Sequence, residues 1–169
     1  GILTFTFGRD FSCGEEILFE DGGWSASDIN GLSAGSVSES GSFSLSTSGD
    51  QIFAYESPTP TTGNESAFVA AIQMNGNWDN DVGGGNANNE SERPSTFNGS
   101  GSAYAIVFNN EYDNAKYDCS TNSGSAATII NALDNDSNWD VSNSSSNIDL
   151  EEFCNFCCGS PESITLSGP

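Results

Sequence analysis

Apolar and polar side chains change places at every step of residues 3–7 within the run ILTFTF (2–7), where Leu3, Phe5 and Phe7 alternate with Thr4 and Thr6. Successive side chains of a β-strand point to opposite faces, so only as a strand does such a run have one apolar face and one wet one. Similar strand patterns mark 15–20 (EEILFE), 42–48 (SFSLSTS), 51–56 (QIFAYE), 67–74 (AFVAAIQM), 103–108 (AYAIVF) and 163–167 (SITLS). Seven or more short strands predict an all-β fold, a mainly antiparallel β-sandwich. Asn30-Gly31, Asn75-Gly76 and Asn98-Gly99 supply residues that tolerate the positive φ of tight turns, and Pro58 and Pro60 stop the fourth strand. One segment has a different period. Ala126, Ile129, Ile130 and Leu133 fall at i, i+3, i+4 and i+7 behind Ser123 and Ser125, which predicts one short helix near 125–134. Residues 135–147 read as loop.

A length of 169 residues fits a single domain, 1–169, with enough chain to bury a core. Against 24 Asp and Glu stand only Arg9, Arg93 and Lys116, for a net charge of -21, and histidine is absent. Nucleic-acid binders exchange phosphate counterions for Lys and Arg, so this balance excludes that class and disfavours anionic membrane surfaces on the same ground. Divalent cations, cationic partners and neutral sugars are compatible with the charge. Disorder is the usual companion of such acidity, but 11 Phe, 4 Tyr and 3 Trp in patterned runs argue for a folded chain. No apolar run approaches the roughly 20 residues of a membrane span, so no membrane insertion is expected. The opening GILTFTFGRD lacks a basic-then-apolar signal region and reads as a processed product or an excised domain.

Cys13, Cys119, Cys154, Cys157 and Cys158 run from one end of the chain to the other. Zinc would need a second Cys pair or His beside the C-x-x-C-C cluster, and neither is present. Disulfides in a secreted, extracellular protein are the better reading, with two intrachain bridges, one joining Cys13 or Cys119 to the C-terminal cluster. The odd cysteine is free or pairs outside the chain.

The segment 79–90 (DNDVGGGNANNE) has the spacing of a calcium loop, with Asp79 and Asp81 at positions one and three, Gly84 at six and Glu90 at twelve. It lacks flanking helices, and Gly83 and Asn86 depart from the pattern. A calcium site of another type on Asp79, Asp81 and Glu90, or a solvated loop, are the readings left open. Trp24, Trp78 and Trp139 each adjoin turn-like sequence with nearby Asp or Asn. That pattern suits sugar-binding platforms, or equally plugs at the ends of a sandwich.

Catalysis is poorly supplied. With no histidine, base chemistry falls to carboxylates and Lys116; a glycosidase needs two carboxylates, and Glu15, Glu16, Glu151 and Glu152 are the candidates. Neighbours on a strand point to opposite faces, so the expectation is no enzyme. Glycosylation sequons occur at Asn64, Asn89, Asn98, Asn135 and Asn143, a number that chance supplies in a chain this rich in Asn, Ser and Thr.

The order of landmarks FEDGGW (19–24), SLSTSGDQIFAYE (44–56), FVAAIQMNGNWD (68–79), EYDNAKY (111–117) and a short helix before NW (138–139) resembles an all-β module of large secreted bacterial surface proteins. That module often stands beside lamin-tail-like or nuclease domains. The resemblance covers roughly residues 15–140 and rests on GDQIFAYE and the DNA…Y element. The cysteines and the tail FCNFCCGSPESITL depart from it. It implies an extracellular β fold and carries over no catalytic residue.

Together these readings predict a non-enzymatic extracellular structural or adhesive protein that self-assembles by strand addition, its partners further copies of itself. The alternative is a calcium-assisted module for cell-surface glycans. No cofactor is required, and calcium is the one the residues admit. The strand-like runs at 2–7 and 163–167 either pair inside their own sheets or complete the sheet of a neighbouring subunit.

Overall fold

The computed structural model describes residues 1–56, 65–79, 91–97, 104–144, 148 and 153–158. The fold is all-β and mainly antiparallel with one short α-helix, its strands distributed over small sheets.

The first group is a meander. Strand β1 (Ile2–Phe7) pairs antiparallel with β4 (Gly35–Ser40), Phe5 opposite Val37 and Phe7 opposite Gly35. Strands β2 (Leu18–Glu20) and β3 (Ser25–Ser27) form a hairpin through Gly22 and Gly23, both at positive φ. The β3 strand hands over to β4 through the Ser27–Ser33 bridge, the Ala34 N–H donating to Ala26 O at 2.9 Å, and the Gly8 N–H in turn donating to Ala34 O at 2.9 Å. The strand order is therefore β2-β3-β4-β1. Ala26 and Ala34 are buried at the junction.

The second group holds the main core. Strands β5 (Gln51–Tyr55) and β6 (Phe68–Gln73) are antiparallel, with an irregularity at Ala54/Tyr55; β7 (Tyr104–Val107) joins β6 in parallel. Phe53, Ala71 and Ala105 lie in one row across the three strands, and Trp78 and Phe97 pack with Ala71 as the buried cluster.

The third group is tied on by Phe108 N–H to Gln73 O at 3.1 Å and Tyr112 N–H to Met74 O at 2.9 Å. It consists of β8 (Asn114–Tyr117), β9 (Ser123–Gly124), the helix α1 (Ala126–Leu133), β10 (Trp139–Ser142) and β11 (Cys157–Cys158). The β8 and β10 strands are antiparallel; β9 and β11 are parallel. Ser125 caps α1 by accepting the Thr128 N–H at 3.2 Å. At the other end Trp139 Nε1 donates to Leu133 O and Asn138 Nδ2 to Ala132 O, each at 2.9 Å, so two of the carbonyls that a helix leaves unpaired are satisfied.

The helix and the strands expected at 2–7, 51–56 and 67–74 stand where the sequence places them, 103–108 contributes Tyr104–Val107, and 15–20 contributes only Leu18–Glu20. Residues 42–48 are not a strand. There the polar groups bond locally: Asp50 accepts the Ser46 N–H, Ser46 Oγ accepts the Ser48 N–H at 3.1 Å, and Leu45 is left exposed. The strand in that region is β4, whose only sizeable apolar side chain is Val37. Residues 139–142, read as loop, are β10. Gly31 and Gly76 have the positive φ expected of them. Asn98-Gly99 and 163–167 lie outside the described residues.

Candidate interaction surface

The β1–β4 ribbon carries a single charge, Glu39, among its twelve residues, in a chain of net charge -21. On the apolar face of β1, Phe5 meets Phe7 edge-on at 4.8 Å and Phe19 at 5.2 Å, and Phe7 meets Phe11 at 5.3 Å. These contacts leave the rings half-covered. Phe7 is 65% exposed and Phe19 41%. Among the described residues no backbone group pairs with the outer edge of β1, whose one strand partner is β4.

An ion cluster bounds this ridge. The Arg9 guanidinium lies 4.2 Å from the centre of the Phe11 ring and pairs with Glu15 and, at 2.9 Å, with the buried Asp28. Asp28 Oδ1 also accepts the N–H groups of Asn30 at 2.8 Å and Leu32 at 3.0 Å, shaping the β3–β4 turn. Those hydrogen bonds, that of Leu32 foremost, hold the Asp28 carboxyl below its ordinary pKa, with Arg9 adding to the effect. The Glu15 carboxyl is lowered chiefly by its hydrogen bond from Arg9, which is itself raised by the same bond.

The residues singled out in the sequence are dispersed. Trp78 is wholly buried in the core, so no face of it can receive a sugar. Trp139 is half-buried between the edges of Phe108 and Tyr117 while holding the end of α1. Trp24, half-buried against Phe43 at 5.4 Å, keeps a partly open ring. Asp79 donates its backbone N–H to Ser91 O at 3.1 Å; Asp81 and Glu90 lie outside the described residues. Among the described residues no group of three or more His, Cys, Asp or Glu is arranged to hold a metal ion.

Glu15 and Glu16 are both engaged structurally, Glu15 by Arg9 and Glu16 by backbone amides near the C-terminal cysteines. They are therefore not a free catalytic pair; Glu151 and Glu152 lie outside the described residues. Cys119 and Cys154 form a disulfide with Cα atoms 5.1 Å apart, and Cys13 is also disulfide-bonded. Cys157 is a free, exposed thiol. The Cys158 side chain lies outside what is described. Of the sequons, Asn135 is exposed and caps the 3-10 turn of Asp136–Asn138. Asn143 uses its amide twice, donating to Glu111 Oε2 and accepting the Asp113 N–H, both at 3.2 Å. Asn64, Asn89 and Asn98 lie outside the described residues.

Sequence reasoning missed the Arg9 cluster, the Glu16 contact and β4. Arg9 was the available signal: one of three cations, next to a dense set of carboxylates. No protein-family model, no curated protein and no solved structure matches this chain.

Proposed function

We propose that the protein is a non-enzymatic extracellular structural element that associates with further copies of itself by strand addition at the outer edge of β1. The observation that carries this reading is that, among the described residues, nothing pairs with the outer edge of β1, which lies beside exposed Phe7 on an almost uncharged ribbon. A six-residue run of high β-propensity without charge or proline is the kind of segment that pairs with another strand when its edge is free. Exposed aromatic rings next to that edge add apolar area for a partner to cover. The Cys119–Cys154 and Cys13 disulfides support an oxidising location, and among the described residues no helix is long and apolar enough to cross a membrane.

The acid surface sets the condition for assembly. Like subunits of charge near -21 repel one another, and salt shortens the reach of that repulsion to about 8 Å at physiological strength. Association should therefore strengthen with ionic strength. Sedimentation velocity and electron microscopy across a salt series test this: growth of oligomers or filaments supports it, and a monomer throughout overturns it.

A further inference from the structure

Two segments 138 residues apart in sequence are joined at one place. Glu16 Oε2 accepts the Cys154 N–H at 3.0 Å, and Glu16 Oε1 accepts those of Asn155 at 2.6 Å and Phe156 at 3.4 Å. Asn155 has φ +55, the left-handed conformation that turns successive amides toward one anion. Two residues before Glu16, Gly14 sits at φ +83 so close to Phe156 that a Cβ there would overlap the Phe156 carbonyl. Cys13, next in line, is disulfide-bonded.

The C-terminal side of this joint is anchored separately. Cys154 is bonded to Cys119, Asn122 Nδ2 donates to Cys154 O at 3.0 Å, and the Cys157 N–H donates to Asn122 O at 2.7 Å. Phe156 stacks on the buried Tyr117 at 5.9 Å with planes 24° apart. Segment 153–158 therefore touches both the early chain at 14–16 and the third strand group.

We propose that this clasp is a mechanical shunt. Tension entering just before Cys13 and leaving beyond Cys158 passes directly from 13–16 into 154–158, and the intervening strand groups stay unloaded until the clasp gives. The proposal does not depend on assembly at the β1 edge; it describes how one copy carries load, as a structural protein outside the cell must.

Stretching single molecules held by handles at residues 10 and 169, so that the pull bypasses the β1–β4 pairing, tests it. A chain opened between the two sides of the clasp lengthens by about 480 Å, from 138 residues at ~3.5 Å each. The oxidised protein should lengthen by less, because the Cys119–Cys154 bridge alone holds back 35 residues, and a thiol reductant should permit the full length. In the reduced protein the first event should be release of the clasp, and Glu16→Ala should lower its force more than Glu16→Gln, which keeps one acceptor oxygen. Stepwise loss of the strand groups before the clasp opens, equal lengthening of the oxidised and reduced proteins, or a first-event force indifferent to both Glu16 variants overturns the proposal.

Discussion

The ring of Phe5 covers Gly35 on the neighbouring strand: a Cβ at residue 35 would lie 2.8 Å from Phe5 Cε2 and would overlap the carbonyl of Thr6. Glycine inside a strand often marks such a close approach of another backbone. Gly35→Ala should therefore push β1 off β4. The expected cost is roughly 1 to 3 kcal/mol of overpacking, read as a fall in Tm by calorimetry. An unchanged Tm would mean that the ribbon is looser than its register implies.

The three tryptophans should separate in a stability series. Trp78→Ala removes a fully buried side chain from the main core and should cost about 3 to 5 kcal/mol. Trp139→Ala should cost less, and Trp24→Ala least, because their rings are half-exposed. Denaturant midpoints for the three variants give the order; a Trp24 variant as damaging as the Trp78 variant contradicts it.

Acid should weaken the Arg9 cluster. Asp28 and Glu15 are held below their ordinary pKa values in the folded chain, so the stability they contribute is present above the unfolded values near 4. It is lost as pH falls through the lower folded values. Asp134, raised by burial, has the opposite sign: its charged form opposes folding, and protonation relieves it. The prediction is thus a difference: the Tm gap between the native chain and Arg9→Gln is widest near neutral pH and closes below about pH 4. A constant gap through acid pH would show that Arg9 acts by packing on Phe11 alone.

Alkylation before reduction should modify Cys157, with peptides containing Cys119 and Cys154 linked to each other. Replacing both Cys119 and Cys154 by Ser should cost about 4 kcal/mol on loop-entropy grounds, for a separation of 35 residues. Mass analysis finding Cys119 and Cys154 alkylated separately contradicts the bridge.

Local patterns were legible in this chain and long-range ones were not. The alternation at 2–7 and the 3.6 period at 126–133 mark β1 and α1 because each pattern matches the geometry of one element. SFSLSTS alternates as well as ILTFTF, yet its serines take neighbouring backbone groups and no strand forms. β4 lacked an apolar stripe because its inward positions include Gly35, made necessary by Phe5, a residue thirty positions away. The tryptophan and carboxylate sets were assembled by residue type, whereas burial and partners separate them: Trp78 is in the core, Glu15 is on Arg9, and Glu16 is on the amides of 154–156.

The central claim is the proposed strand addition at the outer edge of β1, and lysines placed on that strand test it most directly. Thr4→Lys/Thr6→Lys puts two charges on exposed positions of that strand, while Ala127→Lys/Asn131→Lys puts two on exposed positions of α1. Both variants raise the net charge by two from -21, which by itself weakens repulsion and favours association. In sedimentation velocity at high salt, the β1 variant should stay monomeric while the α1 variant assembles at least as well as the native chain. Equal assembly of both variants would contradict strand addition at β1.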